Sequence, residues 1–264
     1  MPSLKPLKDP ALLTVLLLNI SSGIPMAFLT ITLLAFLHDQ GISIEKIGLI
    51  GLTTQPYVFK MFWAPLIDRW KLPWLSRRRD WMLLTQLLLI PAIACMAEIS
   101  PQIHFYAYSS LALIIAILSA TQDIAINAYQ TELLSPEQRG LAGTYSMVGY
   151  QIGMILSGAL ALNLTAWLSW SLVQACIAGF LLIGVMTVLL CPSLETHPTP
   201  AIKPSFKQTL ILPFLDLVKR FSRFGLILLL LLMVFYKLSD AFAMSLSTPF
   251  LQILGFSKPE IGSI

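Results

Sequence analysis

Four ionisable side chains stand inside apolar stretches of this sequence: Lys60, Asp123, Lys237 and Asp240. Desolvating such a group is costly, so its presence points to ligand binding, proton handling or an ion pair. Lys60 precedes Asp68 by eight residues, about 12 Å of helix, which is too deep for its ammonium to reach water easily. It can bind a substrate carboxylate or pair with an acid such as Asp123. Asp123 shares a helix face with Asn127 four residues on, and a carboxylate held out of water is able to carry a coupling proton. Lys237 and Asp240, three apart, also share a face. They either satisfy one another or take part in substrate and proton handling. The neutral Gln55 and Gln151 have the polarity to hold a sugar ring or a peptide.

A second constellation is Asp68 and Arg69, followed after a short loop by Arg77, Arg78 and Arg79. Opposite charges at helix ends can latch one conformation shut, and the arginine run also fixes topology. Gly149, Gly153, Ser157 and Ala161 recur at steps of four. Small residues at that spacing let helices approach closely, and they are assigned to a hinge between moving bundles rather than to substrate.

Other chemistries lack their residues. No Cys/His, His/Asp or HExxH arrangement occurs, so neither an enzyme nor a metal site is expected, and no cofactor is implied. Cys95, Cys176 and Cys191 lie in or at the end of apolar runs with no redox or metal-ligand spacing.

These residues need a membrane around them. Of the 264 residues, 56% are hydrophobic and 11% charged, against about 25% charged in soluble domains. So few charges cannot cover a water-facing surface, and the lipid bilayer is the implied partner. Runs near the required ~20 residues predict helices at 11–37, 45–67, 80–99, 103–130, 139–163, 168–191 and 225–252, with an eighth starting near Ser257. The net charge of +4 does not point to nucleic acid. It comes from loops of one sidedness: Lys5 and Lys8; Arg69, Lys71 and Arg77 to Arg79; Arg139; and Lys203, Lys207, Lys219, Arg220 and Arg223. The opposite connections hold only Lys46 and Lys258. That asymmetry predicts a cytoplasmic N-terminus.

The organisation expected is therefore all-α and polytopic: a six-helix bundle over 1–191, a linker over 192–224, and the start of a second bundle over 225–264. Within the linker, Phe206, Leu210, Phe214, Leu217 and Phe221 recur at helical spacing among basic residues, as in a surface-lying amphipathic helix. Phe36 to Gly48 and Phe250 to Gly262 align without a gap, sharing Phe, Leu, Gly, Ser, Ile and Gly at matched positions. The shift spans six helices, the plan of parallel six-helix repeats in the major facilitator superfamily. On that plan the 264 residues would end just inside the second half.

The segment Pro65-Leu-Ile-Asp68-Arg69 with Arg77 to Arg79 resembles a degenerate facilitator loop between helices two and three. Four segments are similar to the AmpG family of muropeptide permeases: Ser21 to Pro25, Tyr57 to Arg69, Ala120 to Ile124, and Tyr236 to Ser245. The resemblance implies a monomeric secondary transporter of the bacterial inner membrane. It would import anhydromuropeptides, glycopeptide fragments of the wall, from periplasm to cytoplasm with protons. Such import feeds wall recycling and β-lactamase induction. Members of the family commonly carry charged residues where Asn127, Gln130 and Gln151 stand here. An importer of another large polar ligand, such as a siderophore or an acyl-CoA-like molecule, is the alternative.

Overall fold

The computed structural model describes residues 9–70, 72–73, 75–192, 221, 224–229, 231–233 and 235. Two compact units divide at 203/204. All regular structure among the described residues is helical.

Helix α1 runs over Pro10–Asp39. Asp9 caps it, its side chain accepting from the Ala11 amide at 2.9 Å, and Pro10 occupies the first turn, where a missing N–H is no loss. Pro25 lies within the helix and a π turn follows at Phe28–Thr32. The chain then reverses at Gly41, whose φ of +72° suits a residue without Cβ.

The second span departs from expectation. A single helix over 45–67 is expected, but α2 is a series of pieces: Ile44–Gly51, Pro56–Phe59 and Ala64–Arg69, joined by 3₁₀ turns at Leu52–Thr54 and Lys60–Phe62. Pro56 and Pro65 each lack the amide that would continue the i→i−4 ladder, so each starts a new piece at its first turn.

The remaining spans fall close to the expected positions: α3 at Arg77–Met96, α4 at Phe105–Leu133, α5 at Arg139–Leu164 and α6 at Trp170–Leu190. Five helices, α1 and α3 to α6, are long and apolar enough to cross a membrane. Helix α1 occupies the middle and packs against α5 above all, and also against α4 and α6, while α3 packs on α4 and α6. The core gathers Ile24, Phe28, Leu33, Leu89, Ile115, Val173 and Ile177, all buried.

The α1–α5 seam is built on missing side chains. A Cβ on Gly153 would fall on the Ile20 carbonyl, one on Gly149 on that of Leu16, and one on Gly23 on that of Tyr150. The small stripe of α5 was expected at a hinge between bundles. Its glycines instead face α1 within the same bundle, because backbone-to-backbone approach is what they permit. Higher up, the π turns of α1 and α5 (Leu156–Leu160) lie together, and the Thr32 hydroxyl donates to the Ser157 carbonyl.

In the second unit, residues 224–229 and 231–233 are helical, with Phe224, Ile227, Leu228 and Leu232 exposed. They fall at the start of the expected 225–252 span. The rest of that span, the second copy of the repeat and nearly all of the 192–224 linker lie outside the described residues.

Candidate functional site

Asp123 sits near the middle of α4 and is buried on three sides by neighbouring elements. Lys60, at the 3₁₀ turn of α2, places its Nζ 3.1 Å from Asp123 Oδ2. Ser22 of α1 donates its hydroxyl to Asp123 Oδ1 at 2.5 Å. One carboxylate thus joins three spans. The pair is not sealed: the Lys60 side chain is 31% exposed and that of Asp123 11%. Low local polarity strengthens the attraction within the pair but also raises the cost of desolvating each charge, and the lysine side remains open to a ligand.

The break in α2 positions the lysine. The piece Pro56–Phe59 ends at Lys60, and Trp63 then donates its indole N–H to Thr121 Oγ1 at 3.1 Å, two residues before Asp123. Tyr57 lies beside Ser119 of α4 and within electrostatic reach of Asp123 and of Tyr150 on α5. Three elements, α1, α2 and α5, therefore meet α4 around the carboxylate.

Behind Ser22, a neutral polar cluster fills the bundle interior. Ser21 Oγ accepts from Gln86 Nε2 of α3 and from Gln122 Nε2 of α4, each at 3.1 Å, and donates to the Leu18 carbonyl at 2.8 Å. Gly184 of α6 leaves room for it, since a Cβ there would meet Ser21 and Gln86. Ser21, Gln86 and Gln122 are fully buried.

Asn127, Gln55 and Gln151 are exposed, and their side chains make no hydrogen bond among the described residues. The structure brings Lys60 and Asp123 together and leaves these three on open faces. Gln130, the third neutral replacement, accepts from Ser146 of α5 at 3.1 Å. Lys237 and Asp240 lie outside the described residues, as do the side chains of Asp68, Arg69 and Arg77.

Arg78 and Arg79, expected in a latch, make contacts inside this bundle. Arg78 Nε meets Glu132 Oε1 of α4 at 3.0 Å. Arg79 is buried and donates to the Val188 and Leu189 carbonyls at the end of α6, each at 3.1 Å. Those carbonyls lack helical partners, and the guanidinium fork supplies two donors at once. Asp80 accepts from the Leu75 amide at 2.5 Å. Asp9 binds Gln138 Nε2 at 2.7 Å, which ties the start of α1 to the turn between α4 and α5.

An apolar groove of about 600 Å³ lies between α1 and α6, lined by Leu13, Leu17, Phe180, Ile183 and Met186 among others. None of the residues around Asp123 borders it, and its walls suit a lipid chain better than a glycopeptide.

Sequence reasoning missed Trp63, Thr121, Gln86 and Glu132 as partners. Gln86 carried a signal, an amide in an apolar span, but nothing in the sequence says which spans meet around it.

A model of the Major Facilitator Superfamily matches residues 13–264. The chain is 39% identical over 259 residues to the anhydromuropeptide permease of Escherichia coli (strain K12), covering 97% of this chain and 52% of that protein. It is 35% identical over 247 residues to an uncharacterized protein of Haemophilus influenzae, covering 92% and 57%. It is 31% identical over 265 residues to a protein of Rickettsia conorii that carries the name AmpG 4, covering 97% and 63%. The chain thus spans between half and two thirds of the length of these relatives.

Proposed function

This chain belongs to the major facilitator superfamily and is a multi-pass membrane protein, and we propose that the transporter of which it forms part imports anhydromuropeptides together with protons. The observation that supports the substrate is the 39% identity to the anhydromuropeptide permease over 97% of this chain. The geometry that suits the coupling is the Lys60–Asp123 pair with its partly open lysine.

In this reading the transporter lies in the bacterial inner membrane as a monomer, with the N-terminus in the cytoplasm. Lys60 binds a substrate carboxylate when Asp123 takes a proton, because neutralising the acid releases the ammonium. Loss of the proton restores the pair and expels the carboxylate. Asn127, Gln55 and Gln151 contribute neutral hydrogen bonds from the open faces. Lys237 and Asp240 act from the other half of the protein. Asp68, Arg69 and Arg77 to Arg79 form the gating loop.

The test uses cells lacking their own permease and expressing the complete reading frame. Labelled anhydromuropeptide accumulates, and a protonophore abolishes accumulation. Absence of uptake overturns the substrate, and uptake indifferent to the protonophore overturns the coupling.

A further inference from the structure

We propose that Ser22 is a positioning residue through which the charge state of Asp123 is passed to α1. The proposal deepens the proton-coupled reading and rests on it.

Asp123 has two described hydrogen-bonding partners, and they belong to different spans. Oδ2 takes the Lys60 ammonium at 3.1 Å and Oδ1 takes the Ser22 hydroxyl at 2.5 Å. The other ionisable groups facing it are Tyr57 of α2 and Tyr150 of α5. Ser22 is thus the contact of α1 with the carboxylate. Its neighbours are already committed elsewhere: Ser21 turns to Gln86 and Gln122, while Gly23 rests on the α5 backbone.

An ionised carboxylate only accepts hydrogen bonds, whereas a protonated one also donates. A proton added to Asp123 converts an acceptor site into an O–H. A hydroxyl can respond by rotating from donor to acceptor, so Ser22 can follow the change while an alanine cannot. The next residues on α1 are the ones least held by the helix. Pro25 lacks an amide, and the π turn at Phe28–Thr32 widens the ladder. A change in how Ser22 is held therefore acts just ahead of the place where α1 bends most easily.

The test compares Ser22→Ala, Ser22→Thr and Asp123→Asn in the complete reading frame. Uptake is read as the ratio of accumulation to exchange, and the amount of protein in the membrane is measured beside it. Ser22→Ala is expected to lower that ratio by about tenfold, the effect of losing a hydrogen bond to a charged group. Ser22→Thr, which keeps the hydroxyl, restores it. Infrared difference spectra of purified protein at two pH values give a readout free of substrate. The protonated carboxyl band that Asp123→Asn removes shifts in Ser22→Ala and returns in Ser22→Thr. A band absent from the wild type overturns the proton reading itself. A band present but unmoved by Ser22→Ala overturns the role of Ser22 and leaves the proton reading standing. Loss in Ser22→Ala that threonine does not rescue assigns the position to packing and also overturns the proposal.

Discussion

Lys60 Nζ and Asp123 Oδ2 are 3.1 Å apart, although 63 residues separate them in the chain. This distance brings a broken α2 against the middle of an unbroken α4 and leaves the lysine more open than the acid. Removing one partner alone strands a charge, and removing both does not. That asymmetry makes the pair testable.

Lys60→Gln is expected to weaken substrate binding by about 10- to 100-fold, the range for a lost charge-assisted contact, with less effect on the amount of protein in the membrane. Asp123→Asn is expected to lower accumulation against a gradient more than exchange. Uptake assays on the single variants and on Lys60→Gln/Asp123→Asn decide between roles. Full recovery of transport in the double variant makes the pair purely structural.

The α1–α5 seam predicts intolerance at Gly153. Gly153→Val places branched carbons against the Ile20 carbonyl, and backbone cannot move aside as a side chain can. The expected loss is at least the ~1–3 kcal/mol typical of overpacking, read as a lower melting temperature in detergent. Gly179→Ala, where a Cβ meets nothing, serves as the control. Equal melting temperatures for the two variants would contradict the seam.

Arg79 predicts a stability effect with a gradation. Arg79→Ala removes the donors of both carbonyls, leaving Val188 O with only the weak Cys191 thiol at 3.2 Å, at about 1–3 kcal/mol for a group that loses its hydrogen bond to a buried charge. Arg79→Lys retains the charge but not the fork, and falls between alanine and wild type. Thermal unfolding of the purified protein orders the three. A lysine variant as stable as wild type shows that charge alone suffices.

The distribution of basic residues predicts sidedness. Reporter fusions after Ile42 and after Lys71 are expected on opposite faces of the membrane, with Lys71 in the cytoplasm. The same sidedness for both contradicts the placement of α2 as a crossing.

The spans were legible because membrane burial writes itself into composition. Helices α1 and α3 to α6 fall within a few residues of the apolar runs that announce them. Helix α2 was not fully legible. Its apolar content reads as one span, and hydropathy is blind to the ladder bonds that Pro56 and Pro65 remove. Lys60 and Asp123 stood out because charge is rare in such runs, and their pairing was one of two readings the residues allowed. What stayed hidden were contacts made by neutral groups: Ser22 on Asp123, Trp63 on Thr121, and the two glutamines on Ser21. They join residues 58 to 101 positions apart, and a serine in a helix reads the same whether it faces lipid, backbone or an acid. Arg79 was legible as a charge but not as a cap, since the carbonyls it meets belong to a helix more than 100 residues away.

The two π turns that lie against one another in α1 and α5 constrain how this protein can change in length. A π turn holds one more residue than the α turn it replaces. Deleting a single residue from Phe28–Thr32 closes the helix back to regular geometry with the residues beyond it still facing as before, whereas the same deletion in a regular turn rotates everything beyond it by about 100°. Phe36 and Leu37 stay in the core, while the facing turn at Leu156–Leu160 keeps its extra residue and loses its mate. A one-residue deletion in α1 or α5 is therefore expected to be borne at these two turns and not in the regular turns on either side, where it would carry buried residues to the outer face.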